Sequence, residues 1–89
     1  MNHGQRRETG RQLCEKLVER IGEVAAAVPL GHWPPIADAP SAEFMTALSG
    51  WEIDPSDLTM QRVSDAYDDV LDAWRQAAVE YTAERASSS

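Results

Sequence analysis

The sequence contains very little cysteine and no long apolar run. Cys14 is the only cysteine among the 89 residues, which excludes an internal disulfide and a cysteine cluster for zinc or iron–sulfur ligation. The longest apolar stretch, VAAAV at residues 24–28, is much shorter than the roughly 20 residues that span a bilayer. The opening MNHGQRRETGRQL lacks the apolar segment of a signal peptide. We therefore predict a cytoplasmic protein that does not contact a membrane.

Positive charge is scarce in the middle of the chain. The net charge is −7, and residues 29–72 combine one basic side chain, Arg62, with nine carboxylates, a local net charge of −8. Nucleic-acid binding requires a basic surface, so we expect no direct contact with nucleic acid. An acidic chain instead fits a protein partner with a basic surface. Seven arginines against one lysine, with many alanines, suggest a bacterial or phage origin.

The N-terminal third predicts a first helix. Thr9 and Gln12 have the T-x-x-Q spacing of a capping box. Apolar residues then recur every three or four positions until Pro29, which ends a helix, so we predict helix 1 from about residue 10 to residue 28. Cys14 lies on this apolar face, where a cysteine acts as a small apolar residue and not as an activated nucleophile.

A short amphipathic segment at residues 41–49 predicts a middle helix that ends at Gly50. The stretch LSGWEIDPSDL, residues 48–58, resembles a helix–Gly–Trp–cap–helix segment in the last domain of tungsten-containing aldehyde ferredoxin oxidoreductases. The resemblance implies a joint in which Gly50 ends one helix, Trp51 packs under the turn and Asp54 starts the next helix. The cysteines that hold the cluster of those enzymes are absent from this chain.

The third predicted helix is the longest. Asp54 has the position of an N-cap, Pro55 that of the first helical residue, and Ile53 and Leu58 have the spacing of a hydrophobic staple. Apolar residues follow at heptad spacing and form what we call the seam: Met60, Val63, Tyr67, Val70, Trp74, Ala77 and Tyr81.

The predicted lengths of the two long helices differ. A helix of about 30 residues is ~45 Å long, whereas helix 1 reaches only ~28 Å. Either the third helix breaks near its end, or a second copy or another protein covers the excess. Pairing is the simplest solution for a bare apolar seam, so we predict a homodimer with these residues in its interface: Val70, Trp74, Ala77 and Tyr81.

Together these elements predict an all-α fold. We expect a single helical domain over residues 1–86, with frayed tails at residues 1–8 and 87–89. Helix 1 and the longer helix 3 form a long helical hairpin, and the short middle helix and a proline-rich loop close one end. The expected assembly is a dimeric helical bundle.

The proline-rich loop, PLGHWPPIADAP at residues 29–40, has two interpretations. Trp33, Pro34 and Pro35 favour an extended polyproline II segment that could dock on the aromatic groove of a partner. Alternatively, the loop folds back so that Trp33 and Ile36 form a lid over the open end of the hairpin. The length of the loop favours the lid, and His32 is expected to face solvent or to bond within the loop.

The stretch SDAYDDVLD carries four aspartates, Asp65, Asp68, Asp69 and Asp72, which we call the acidic face. They recur at i, i+3, i+4 and i+7, so they share one side of the third helix, away from the seam. Like charges at this spacing repel and cost stability, which predicts a basic partner for this side. DDVLD also resembles the DDxxD magnesium–diphosphate motif of prenyl-transferring and terpene-cyclising enzymes. Those enzymes need a large all-helical cavity and a second helix that carries carboxylates, and neither fits in a chain of 89 residues.

The predicted function is therefore non-catalytic protein binding, by an adaptor, an inhibitor or a small accessory subunit, without cofactor or metal. A chain of this size buries a modest core but no deep enclosed cavity, which argues against an enzyme. One alternative is a phage or mobile-element inhibitor that occupies the basic nucleic-acid-binding groove of its target. Another is an accessory subunit of an enzyme in which the aspartates hold a divalent metal.

Overall fold

The computed structural model describes residues 3–29 and 31–88, and no strand occurs among them. The elements are α1 (His3–Val24), a 3₁₀ turn (Pro35–Ala37), α2 (Asp38–Ile53) and α3 (Asp57–Ser88). The two long helices, α1 and α3, pack against each other, and the shorter α2 packs closely on α3. The predicted all-α fold with two long helices and a short middle helix is confirmed.

The first helix is shifted toward the N-terminus relative to the prediction. Residues 3–8, predicted as a tail, are helical. The predicted cap at Thr9 is wrong, because its hydroxyl donates 3.0 Å to the carbonyl oxygen of Gln5 within the helix. The helix ends at Val24 instead of residue 28, and the chain then turns so that Ala25 and Val28 are buried in the core.

A contact with the end of α2 accounts for the early start of α1. The Arg6 Nε donates 2.8 Å to the carbonyl oxygen of Glu52, one of the last-turn carbonyls that have no partner within their own helix. The helices are close here, since a Cβ on the buried Gly10 would lie 2.7 Å from Glu52 Oε1 and 3.6 Å from Leu48. A contact between residues 46 positions apart in sequence thus favours the early start of α1.

The middle helix extends further at both ends than predicted. It begins at Asp38, and Pro40 is accommodated in its first turn, where backbone N–H groups have no helical partner. It passes through Gly50 and ends at Ile53, so the prediction that Gly50 ends this helix is wrong. Trp51 is buried, as the predicted joint requires.

The cap of α3 is Ser56 and not Asp54. The N–H of Thr59 donates 3.1 Å to Ser56 Oγ, and the N–H of Ser56 donates 2.9 Å to Thr59 Oγ1, which is the reciprocal pattern of a capping box. Asp54 instead ends α2, because its N–H donates to the carbonyl oxygen of Gly50. Ile53 and Leu58, the predicted staple, are 81% and 64% exposed.

The helices are arranged so that α1 runs alongside the first half of α3. Arg6 lies at the end of α2, just before α3 begins, and Leu13 then shares a shallow groove with Met60 and Tyr67. α2 runs back along α3, with the rings of Phe44 and Tyr67 6.2 Å apart. The main core lies among these three helices: Leu17, Phe44, Leu48, Trp51, Val63, Ala66, Val70, Leu71 and Trp74.

Part of the second half of α3, up to Tyr81, is covered by residues 25–29 and 31–37 of the same chain. The rings of Trp33 and His32 lie 5.5 and 5.9 Å from those of Trp74 and Tyr81, whereas residues 82–87 are exposed. Ala25, Val28 and Ala37 belong to the core cluster. α3 does not break, and the molecule is accordingly elongated, with extents of 54 × 19 × 15 Å and a radius of gyration of 15.0 Å. No described helix is both long enough and apolar enough to cross a membrane.

The tryptophans of the α2–α3 joint and of the loop are expected to differ in their contribution to stability. Trp51 is 6% exposed and Trp33 is 53% exposed. Trp51→Ala should lower the free energy of unfolding by about 3–5 kcal/mol, and Trp33→Ala should lower it by less. Urea denaturation of both variants measures the difference, and a larger loss for Trp33→Ala would contradict this ranking.

Candidate functional site

The four aspartates of the acidic face are all exposed on α3. Asp65 Oδ1 accepts a hydrogen bond of 3.0 Å from Gln61 Nε2, one turn earlier. Asp72 Oδ1 forms a 3.0 Å ion pair with Arg75 Nη1, which contributes little to stability because both side chains are well exposed. The predicted clustering of four carboxylates on the solvent side of the third helix is therefore present in the fold.

The structure divides the acidic face into two pairs. Asp65 and Asp69 line a groove between α3 and α2, whereas the described lining does not include Asp68 or Asp72. Each pair has the same i, i+4 spacing on the same helix, which brings two like charges together in both, and Asp72 in addition forms its ion pair with Arg75. The two pairs differ mainly in what lies beside them.

The groove beside Asp65 and Asp69 is open and has a volume of about 590 Å³. On α3 its lining runs from Thr59 to Asp69, which corresponds to about 15 Å of helix. The apolar part of the lining consists only of small residues, Ala42, Ala47, Gly50 and Ala66. The polar part is Glu43, Thr46, Thr59, Arg62, Asp65 and Asp69.

Among the residues that line the groove, Gly50 is the one for which the fold gives no reason. It lies inside α2, where glycine is about 1 kcal/mol less favourable than alanine. Its φ is not positive, and a Cβ built there would meet nothing within 4 Å. Neither the backbone nor the packing of this chain requires glycine, and the visible effect of the missing side chain is a wider groove.

The proline-rich loop packs against α3. The ring of Trp33 lies edge-on to the ring of Trp74, with centroids 5.5 Å apart, and its indole N–H donates to a carboxylate oxygen of Asp38. Pro34 is buried, with the φ of −70° and ψ of 133° of a polyproline II residue. Pro35 is exposed and begins the 3₁₀ turn. This placement agrees with the lid interpretation, and docking on a partner would require Pro34 to leave its packing.

The residues predicted for self-association are largely covered within one chain. Val70, Trp74 and Ala77 are 1%, 7% and 6% exposed. Tyr81 is half-buried, with its ring 5.9 Å from that of His32. These residues therefore do not form a bare apolar surface that a second copy of the chain would have to cover. The indole N–H of Trp74 is buried without an acceptor among the described residues.

The described residues offer no group of three or more His, Cys, Asp or Glu side chains that could hold a metal ion. The four aspartates of α3 are exposed to solvent. This arrangement lends no support to the interpretation of DDVLD as a metal motif. The half-buried Cys14 packs against the apolar core, as predicted.

Sequence reasoning predicted only Asp65 and Asp69 among the residues that line the groove, and it missed Glu43 and Gly50 in particular. Glu43, Ala47 and Gly50 have the i, i+4, i+7 spacing of one helix face, which is a recognisable signal if the helix is known to continue. Gly50 was instead interpreted as the end of the helix, because glycine is the residue most often found just after a helix. The sequence contained no signal that this face of α2 lies beside Asp65 and Asp69.

No protein-family model matches this chain, and neither the curated proteins nor the solved structures contain a significant match to it. The geometry and charge of the chain itself are therefore the guide to its function.

The Cys14 thiol is expected to react slowly with alkylating agents. Burial raises its pKa by disfavouring the thiolate, and the nearby carboxylates of Glu52 and Glu15 raise the pKa further. A raised pKa means less thiolate at any mildly alkaline pH, and the thiolate is the nucleophile. Iodoacetamide labelling across a pH series should give a higher midpoint for the folded chain than for the chain unfolded in urea. Equal midpoints would contradict this.

Proposed function

We propose that this protein is a non-catalytic protein-binding module that presents the acidic face of α3 to a basic surface on its partner. Adaptor, inhibitor and accessory subunit are all roles of this kind. The observation that carries the proposal is the exposure of Asp65, Asp68, Asp69 and Asp72 on adjacent turns of one helix. Binding through them requires no catalytic group and no cofactor.

The arrangement of charge on α3 supports this function. The seam side of the helix is buried, so the fold depends on that side and not on the aspartates. Four like charges on adjacent turns lower the stability of a helix by some tenths of a kcal/mol for each i, i+4 pair. A basic partner would convert this repulsion into attraction and would also accelerate association.

A special case of this function is inhibition of a nucleic-acid-binding protein by occupation of its basic groove. The elongated shape, 54 × 19 × 15 Å, and the row of carboxylates along its longest helix favour this case. Competition between the protein and a DNA duplex for the same target would test it. The bacterial or phage origin and the cytoplasmic location stay predictions from the sequence.

The metal-binding accessory subunit is the rival function from a different class. Here the aspartates would hold a divalent cation, and an ion that binds only the folded chain raises the melting temperature by an amount that grows with the logarithm of its concentration. A thermal melt with and without magnesium or manganese tests this rival directly. A melt shift that is abolished by asparagine at the aspartates would support it.

The homodimer stays a prediction that light scattering tests. Since Val70, Trp74 and Ala77 are buried within the chain, a dimer through these residues would require the segment at residues 25–37 to move off α3. A dimeric mass at tens of micromolar protein, lost when that segment is cross-linked to α3, would support the predicted interface. A monomeric mass would contradict it.

Replacing all four aspartates with asparagine is expected to weaken partner binding without damaging the fold. Asparagine has nearly the same shape and removes the repulsion, so the melting temperature should be unchanged or slightly higher. Affinity for a partner recovered from the native host should fall, and the remaining affinity should depend less on salt. Calorimetric titration at two salt concentrations, for wild type and variant, gives both quantities.

Two other results have clear meanings. A more stable variant with unchanged affinity and unchanged salt dependence would show that the acidic face is only solvated charge. In that case the exposed part of the loop, Trp33 and Pro35, becomes the next candidate for the partner-binding site.

A further inference from the structure

The groove between α2 and α3 identifies a more specific site within the acidic surface. We propose that this groove seats an α-helix of the partner protein, with small residues of that helix against Ala47, Gly50 and Ala66. Lysine or arginine side chains on its flanks meet Glu43, Asp65 and Asp69. This inference rests on the proposed function. Of the four aspartates of the acidic face, it assigns the contacts with the partner to Asp65 and Asp69.

The dimensions of the groove fit one helix. Its α3 wall, from Thr59 to Asp69, corresponds to about three helical turns. Its α2 wall, from Ala42 to Gly50, corresponds to about 12 Å. Close approach of helices requires small side chains between their backbones, and the apolar part of this lining contains only alanine and glycine.

The charges of the groove specify the partner helix as basic. Glu43 lies on the α2 side, and Asp65 and Asp69 lie on the α3 side, so carboxylates stand on both walls. Arg62 is the one cation among the described lining residues. An acidic helix would be repelled from both walls, whereas a helix with basic residues on both flanks would be attracted to both.

Gly50 supplies an observation that is independent of charge. Glycine there lowers the stability of α2, and the fold itself gains nothing from it, because a Cβ would meet nothing within 4 Å. A helix seated in the groove would lie where that side chain would project. Gly50 therefore makes room for a second backbone, as small residues do where helices pack closely.

The test uses the full 89-residue chain and a synthetic helical peptide as the probe. The peptide is alanine-rich, about 20 residues long so that it is helical in water, with one alanine face flanked by lysines. We expect its addition to shift the NMR amide signals of residues lining the groove. Replacing every lysine by glutamate, or placing a proline at the centre, should remove the shifts.

Two matched pairs of variants locate the contact. Gly50→Leu fills the groove and should weaken peptide binding by at least about tenfold, with Gly50→Ala intermediate. Gly22→Leu is the control, because a Cβ on Gly22 also meets nothing within 4 Å but lies on α1, away from the groove. Asp65→Asn with Asp69→Asn should weaken binding severalfold more than Asp68→Asn with Asp72→Asn, which removes the same charge from the same helix.

Four results of the peptide experiments would each overturn the proposal. These are no shift at millimolar peptide, equal binding of the proline-containing peptide, unchanged affinity of a folded Gly50→Leu variant, and equal effects of the two aspartate pairs. Groove signals that shift with protein concentration alone would identify a second copy of this chain as the occupant and would also overturn it.

The failure of this inference is distinguishable from that of the proposed function. If the fourfold asparagine variant loses the native partner while Gly50→Leu retains it, the acidic face binds but the groove does not seat a helix. If the fourfold variant retains the partner at both salt concentrations, the proposed function itself fails.

Discussion

The seam of α3 is the constraint on which the rest of the structure depends. The helix has 32 residues, a length of about 48 Å, and no single element of the chain can cover it. α1 and α2 cover its first half, where Val63 and Val70 are almost completely buried. The chain around Trp33 covers the following turns as far as Tyr81, which explains why a proline-rich stretch of irregular chain contributes to the core.

Burial of the seam leaves the opposite side of α3 exposed, as the proposed binding function requires. The fold uses that side only for exposed polar contacts, so the aspartates there are not needed for the packing of the core. α2 presents small side chains next to it, and Gly50 keeps the space between the helices open. The proposed site thus lies at the junction of two helices and does not depend on any single motif.

Local sequence patterns predicted the number of helices, the seam and the acidic face, because each depends on 3.6-residue periodicity alone. The boundaries were less predictable where distant contacts decide them. The bond from Arg6 to the carbonyl oxygen of Glu52 extends α1, and the use of Asp54 to end α2 moves the cap of α3 to Ser56. The groove could not be predicted, since it requires knowing which face of α2 lies beside Asp65.

The packing of the loop gives the molecule an optical property. Trp51 and Trp74 are buried in apolar surroundings, whereas the half-exposed Trp33 rests edge-on against Trp74. Indole emission moves to longer wavelength in contact with water, so the two environments contribute different parts of the fluorescence spectrum. Movement of the loop away from α3 would expose Trp74 and shift the emission to the red, so the chain carries its own spectroscopic reporter of the state of its lid.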